Sequence, residues 1–212
     1  MAVETARLYL ITPPLRAVED IPSFLAETLE AGDIACLLVN LATLDAGVAK
    51  KIIQKCSEIA QPRGAAVLIE ADATLAVRAN ADGVHFKRGL DPALQEALKS
   101  LRPERIVGIG GLKGRDDAMT AGEAGVDYLM FGEPTADGFV PPAEQTMERA
   151  GWWAEIFNIP CVAYAHRLAD VGALSATGAD FIALGEAVWA DPRGAPAAVR
   201  EGQMLLQPLP DR

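Results

Sequence analysis

The sequence predicts an α/β fold of one kind, a closed (β/α)8 TIM barrel. Three observations carry that expectation: short apolar runs alternate strictly with helix-spaced segments, eight such units occur without a ninth, and an aspartate recurs just ahead of every second strand. Strict alternation implies parallel strands joined by right-handed crossovers. The length of 212 residues suits one barrel at the short end of the usual range. A single domain over 1–207 is expected, with a frayed tail at 208–212.

Strands are predicted at 8–11, 35–39, 66–69, 83–86, 106–109, 128–131, 161–164 and 181–184. Between them, Ile21, Phe24, Leu25 and Leu29 recur at helical steps, as do Val48, Ile52, Cys56 and Ile59. Asp20, ahead of Ile21-Pro22, reads as an N-cap with proline in the first turn. A doubly wound open sheet is the structural alternative. It would carry a glycine-rich first βα turn, where this chain has Thr12-Pro13-Pro14.

The repeat is visible in Ala31-Gly32-Asp33, Asn80-Ala81-Asp82, Gly125-Val126-Asp127 and Gly178-Ala179-Asp180. Spacings of 49, 45 and 53 residues between the aspartates place them before strands two, four, six and eight. A glycine there accepts a left-handed helix end, and the carboxylate can bond backbone amides as the chain enters the strand. Such positions belong to the stability face of a barrel rather than to its chemistry.

Composition excludes several classes. A net charge of −10 argues against a nucleic-acid footprint. No apolar run approaches the ~20 residues of a membrane span. The opening residues lack a basic segment leading into an apolar one, so a cytoplasmic protein without a secretion signal is expected. Cys36, Cys56 and Cys161 have no metal-ligand spacing and read as reduced core thiols.

Chemistry in such a barrel sits on the loops after the strands' C-terminal ends. These loops carry Thr12, Asn40, Glu70, Asp72, His85, Lys87, Arg88, Gly110, Gly111, Lys113, Glu133, His166, Arg167 and Glu186. Lys87 and Arg88 are the anion candidates, with a solvated pair as the equal alternative. Gly108, Gly110 and Gly111 form either an anion cradle of backbone amides or, more simply, a tight turn. His166 and Arg167 either bind an anionic group or pair with Glu186 across the mouth, the pairing being favoured. His85 reads first as a hydrogen-bonded structural imidazole. Of the adjacent Trp152 and Trp153, both cannot face the core. Packing under the next loop is the preferred account, and a homo-oligomer contact the alternative.

Several of these segments resemble the thiamine phosphate synthase and thiazole tautomerase family, in register from Arg7 to about Pro192. They are Arg7-Leu8-Tyr9-Leu10-Ile11-Thr12, Ala81-Asp82-Gly83-Val84-His85-Phe86 and Gly125-Val126-Asp127-Tyr128, followed by Ile159-Pro160-Cys161 and Gly178-Ala179-Asp180. The resemblance implies a transferase that joins hydroxymethylpyrimidine diphosphate to a thiazole phosphate, with magnesium (Mg2+) held by two aspartates. That chemistry depends on neutralising the leaving pyrophosphate and positioning two rings.

Position by position, the family pattern is altered. Its diphosphate-gripping arginine and lysine align with Asn40 and Ala42, and its metal aspartates with Ala71 and Leu90. Asp72 and Asp91, one residue further on in each case, are the candidate metal ligands. The family's fifth-strand serine falls near Gly110 and the tautomerase histidine near Lys113. The strand-six loop lacks its lysine, the paired phosphate glycines fall on Ala165 and His166, and the phosphate serine falls on Glu186.

Three readings follow. One is a weak or inactive synthase-like barrel. The second is a non-catalytic pseudoenzyme that binds a phosphorylated or thiamine-related small molecule, or a protein partner. The third is a barrel enzyme of changed chemistry, using Glu70, Asp72 and Lys113 or His166 as acid and base.

Overall fold

The structure is a computed structural model describing residues 5–43, 45–90, 92–135 and 138–206. Eight parallel strands close into a barrel in sequence order. They are β1 (Arg7–Ile11), β2 (Ile34–Val39), β3 (Ala66–Glu70), β4 (Gly83–Phe86), β5 (Ile106–Ile109), β6 (Tyr128–Phe131), β7 (Cys161–Ala165) and β8 (Phe181–Leu184). Closure is made by β1 on β8, with Arg7 opposite Phe181 and Leu10 opposite Leu184. The predicted closed barrel is therefore the observed one, and an open sheet is excluded. β4, β5, β6 and β8 have the predicted bounds, and the other four strands run one residue longer.

Around the barrel lie α1 (Leu25–Glu30), α2 (Ala46–Ala60), α3 (Ala73–Ala79), α4 (Ala93–Leu101), α5 (Arg115–Glu123), α6 (Ala143–Ile156), α7 (Val171–Ser175), α8 (Glu186–Trp189) and α9 (Ala195–Leu205). Strand alternation splits the core into two layers. Leu8, Leu10, Leu37, Val67 and Ile69 pack outward against the helices. Tyr9, Cys36, Leu68, Tyr128, Met130 and Val162 fill the barrel interior. Cys36, Cys56 and Cys161 are buried free thiols, and burial raises the Cys56 thiol to about 12. Trp153 is fully buried and donates through Nε1 to the Ile159 carbonyl at 2.8 Å. Trp152 packs edge-on against Phe157, with the Arg115 guanidinium 4.8 Å from its ring centre, so the pair is explained by packing. No helix among the described residues is long and apolar enough to cross a membrane.

The recurring aspartates fix the end where strands begin. A carboxylate oxygen of Asp82 accepts from the Val67 amide at 2.7 Å, that of Asp127 from Val107 at 2.8 Å, and that of Asp180 from Cys161 at 2.8 Å. Each thus ties an even strand to the odd strand before it. Asn80, Gly125 and Gly178 provide the expected left-handed turns, with φ of 58°, 88° and 87°. The first copy differs: Gly32 is not left-handed, and Asp33 holds the Arg7 guanidinium at 2.8 and 2.9 Å instead of an amide.

Asp20 corrects another expectation. It does not cap α1, whose N-cap is Phe24. It ends a short 3-10 turn at Val18–Asp20, and its carboxylate accepts from the amides of Arg16 and Ala17. These bonds hold the acid below its ordinary range. Pro22 lies between that turn and α1, so the carboxylate finds its amides upstream rather than downstream.

Candidate active site

The barrel interior is not wholly apolar. On β4, Val84 and Phe86 face the helices, which turns His85 inward. In register, His85 lies opposite Gly108 of β5, and Gly108 opposite Tyr128 of β6. A Cβ at Gly108 would overlap the Tyr128 ring. The missing side chain lets the His85 and Tyr128 rings stack across it, 5.6 Å apart and 7° from parallel.

These rings belong to a hydrogen-bonded chain through the barrel. The Tyr9 and Tyr128 hydroxyls are 2.9 Å apart, Tyr128 Oη is 2.8 Å from His85 Nδ1, and His85 Nε2 is 3.2 Å from both oxygens of Glu133. Burial pushes both phenols well above their ordinary values, which keeps them as O–H donors. An ionised Glu133 only accepts. With a neutral imidazole, Nε2 then donates to Glu133, Tyr128 donates to Nδ1, and Tyr9 donates to Tyr128. An imidazolium would donate at both nitrogens and reverse the tyrosine bonds. His85 is fully buried and Glu133 nearly so, and a buried carboxylate requires such a partner.

Glu133 brings this chain to the mouth. There, a cavity of about 670 Å³ is walled by Asn40, Lys87, Glu133, Tyr164, Glu186 and Trp189. Thr12 shapes its floor, accepting from the Asn40 amide at 2.9 Å while donating to the Pro13 carbonyl at 2.9 Å. Trp189 is fixed by its Nε1 bond to the Ile11 carbonyl at 2.6 Å. Tyr164 is raised to about 12, first by burial and then by the carboxylates of Glu133 and Glu186. Lys87 is ion-paired with Glu70. These two residues also line a smaller cleft with His85 and the exposed Arg88.

The other predicted residues are dispersed. Asp72 caps α3 by accepting from the Leu75 amide at 2.8 Å, and lines a groove with residues of α3 and α4. Asp91 lies outside the described residues. Among the described residues, no group of three or more His, Cys, Asp or Glu side chains is arranged to hold a metal. Lys113 is exposed, its amide bonded to Asp117 at 3.0 Å and its carbonyl to Arg149 at 2.9 Å.

One expectation is corrected. His166 and Arg167 do not pair with Glu186. His166 Nε2 is 2.8 Å from the Gly132 carbonyl, and Arg167 holds Asp170 at 2.7 and 3.0 Å. The Gly110 amide is likewise engaged, donating to the Phe86 carbonyl at 2.7 Å. A Cβ at Gly110 would overlap Glu133 Oε2, and Gly111 has φ of 65° with its α-carbon against the Lys87 carbonyl. The glycines are therefore accounted for by a tight turn and by room for Glu133.

The sequence reading did not select the Tyr9–Tyr128–His85–Glu133 chain. Its signal was present in inward-facing polar residues on β1, β4 and β6 and in a glycine between two rings.

A parallel eight-stranded barrel with a polar mouth at the strands' C-terminal end defines the class as a (β/α)8 barrel. The chain belongs to the thiamine monophosphate synthase family, whose model matches residues 8–188. It is 34% identical over 203 residues to the thiamine-phosphate synthase of Rhodospirillum centenum, covering 95% of this chain and 98% of that protein. The thiamine-phosphate synthase of Hyphomonas neptunium is 35% identical over 215 residues, covering 96% and 95% respectively. In fold, the chain is similar to the thiamine phosphate pyrophosphorylase of Pyrococcus furiosus, with a TM-score of 0.76 and 22% identity over 94% of each chain.

Proposed function

We propose that this family member binds a thiamine-related small molecule at its mouth and forms thiamine phosphate far more slowly than a working synthase. The observation carrying this reading is the pair of carboxylates, Glu133 and Glu186, on the mouth wall. A phosphate ~4 Å from one carboxylate is opposed by about 4 kcal/mol in a surface-like dielectric, less where salt screens it. Lys87, the cation among the described wall residues, is already matched by Glu70. Asn40 and Ala42 supply no charge where the family resemblance implies two cations. Losing one preorganised contact to developing charge reduces turnover by ~10²–10³-fold, and groups that act as a unit fail together.

The test is steady-state formation of thiamine phosphate from hydroxymethylpyrimidine diphosphate and thiazole phosphate with magnesium. The expected rate is at least ~10²-fold below the ~1 s⁻¹ scale of ordinary enzymes. Turnover near 1 s⁻¹ overturns the reading.

A further inference from the structure

The mouth has a second peculiarity besides its carboxylates. Tyr164 is more than nine-tenths buried and lines the cavity. Its phenol can donate a hydrogen bond to, or accept one from, a group that enters the cavity. Around it stand Glu133, held by His85, and Glu186 on the first turn of α8. Trp189, fixed through its indole nitrogen, adds a second aromatic wall. Carboxylates with aromatic rings are the surroundings that stabilise a positively charged ring, through counter-charge and through the negative faces of the aromatics. The same carboxylates oppose a phosphate.

We propose that the mouth cavity binds a cationic, unphosphorylated nitrogen heteroaromatic, with Glu133 and Glu186 as counter-charges and the Tyr164 hydroxyl as its hydrogen-bonding anchor. The inference rests on the functional reading above, and it names the ligand's charge class and the residue that anchors it. Glu133 is a binding residue here, and His85, Tyr128 and Tyr9 are positioning residues that hold its carboxylate in place.

The test is calorimetric titration of the whole chain with thiamine, whose thiazolium carries a fixed positive charge, and with thiamine monophosphate. A second probe pair, an N-methylthiazolium salt and its neutral thiazole parent, isolates the charge. Thiamine is expected to bind at least tenfold more tightly than thiamine monophosphate, and the thiazolium more tightly than the thiazole. Glu186→Gln is expected to narrow the first gap several-fold, and Tyr164→Phe to weaken both thiamine and thiamine monophosphate without narrowing it. Both variants are conservative, and a thermal melt matching the parent establishes that each folds. Preference for thiamine monophosphate, equal binding of thiazole and thiazolium, or no binding of any probe overturns the inference. None of those results alters the expected slow synthase turnover, which stands or falls on its own assay.

Discussion

The two ends of the barrel handle charge differently. Where the strands begin, Asp82, Asp127 and Asp180 each accept an amide from the start of the preceding strand, and Arg7 closes the ring on Asp33. Every partner is backbone or one neighbouring strand away. Where the strands end, Glu133 is held by His85, and through it by Tyr128 and Tyr9 on other strands. The Glu186 carboxylate and the Tyr164 hydroxyl both line the cavity there. The first end spends its charges on joining strands, whereas the second keeps some exposed to whatever enters.

Removing the support of a mouth charge should have the largest effect on stability. His85→Phe fills the volume but leaves Glu133 and Tyr128 without their partner. Urea unfolding is expected to report a loss of about 3 kcal/mol. A loss below ~1 kcal/mol would mean that the buried chain contributes little.

At the opposite end the effect should be smaller, because one amide is orphaned rather than a buried charge. Asp82→Ala removes the acceptor of the Val67 amide and of Gln61 Nε2, which lies at 3.0 Å. Its expected cost is about 2 kcal/mol, with ligand binding at the mouth unchanged. A change in mouth affinity would break the separation between the two ends.

Arg7→Ala should be the mildest of the three. Its ion pair with Asp33 is substantially exposed on both sides, so a loss of under ~1 kcal/mol is expected, fading as salt is raised. A larger, salt-independent loss would mean that the first aspartate copy works like the other three.

The two ends also differed in how much could be read from sequence. The barrel, its strands to within one residue and the strand-entering aspartates rest on local patterns: apolar periodicity, helix-ending glycine and a carboxylate beside backbone amides. The mouth depends on which side chains meet across the barrel. Asp20, His166 and Arg167 found other partners than expected, namely upstream amides, the Gly132 carbonyl and Asp170. Gly108 and Gly110 stood out in the sequence, but their purpose, room for the Tyr128 ring and for Glu133, required the strand register. Glu133 was visible on the rim, yet its link to His85 joins residues 48 apart in the chain.

On the proposed function, the charge of the mouth rather than the scaffold sets this protein apart from a phosphate-binding barrel. Glu186 is exposed on the short α8, so Glu186→Ser removes the charge with little disturbance of packing. The direct measurement is calorimetric affinity for thiamine monophosphate in parent and Glu186→Ser protein, with urea stability recorded alongside. The predicted result is an affinity gain of about tenfold at low salt with stability unchanged, consistent with a screened carboxylate–phosphate repulsion. Equal affinities in the two proteins, at equal stability, would contradict it.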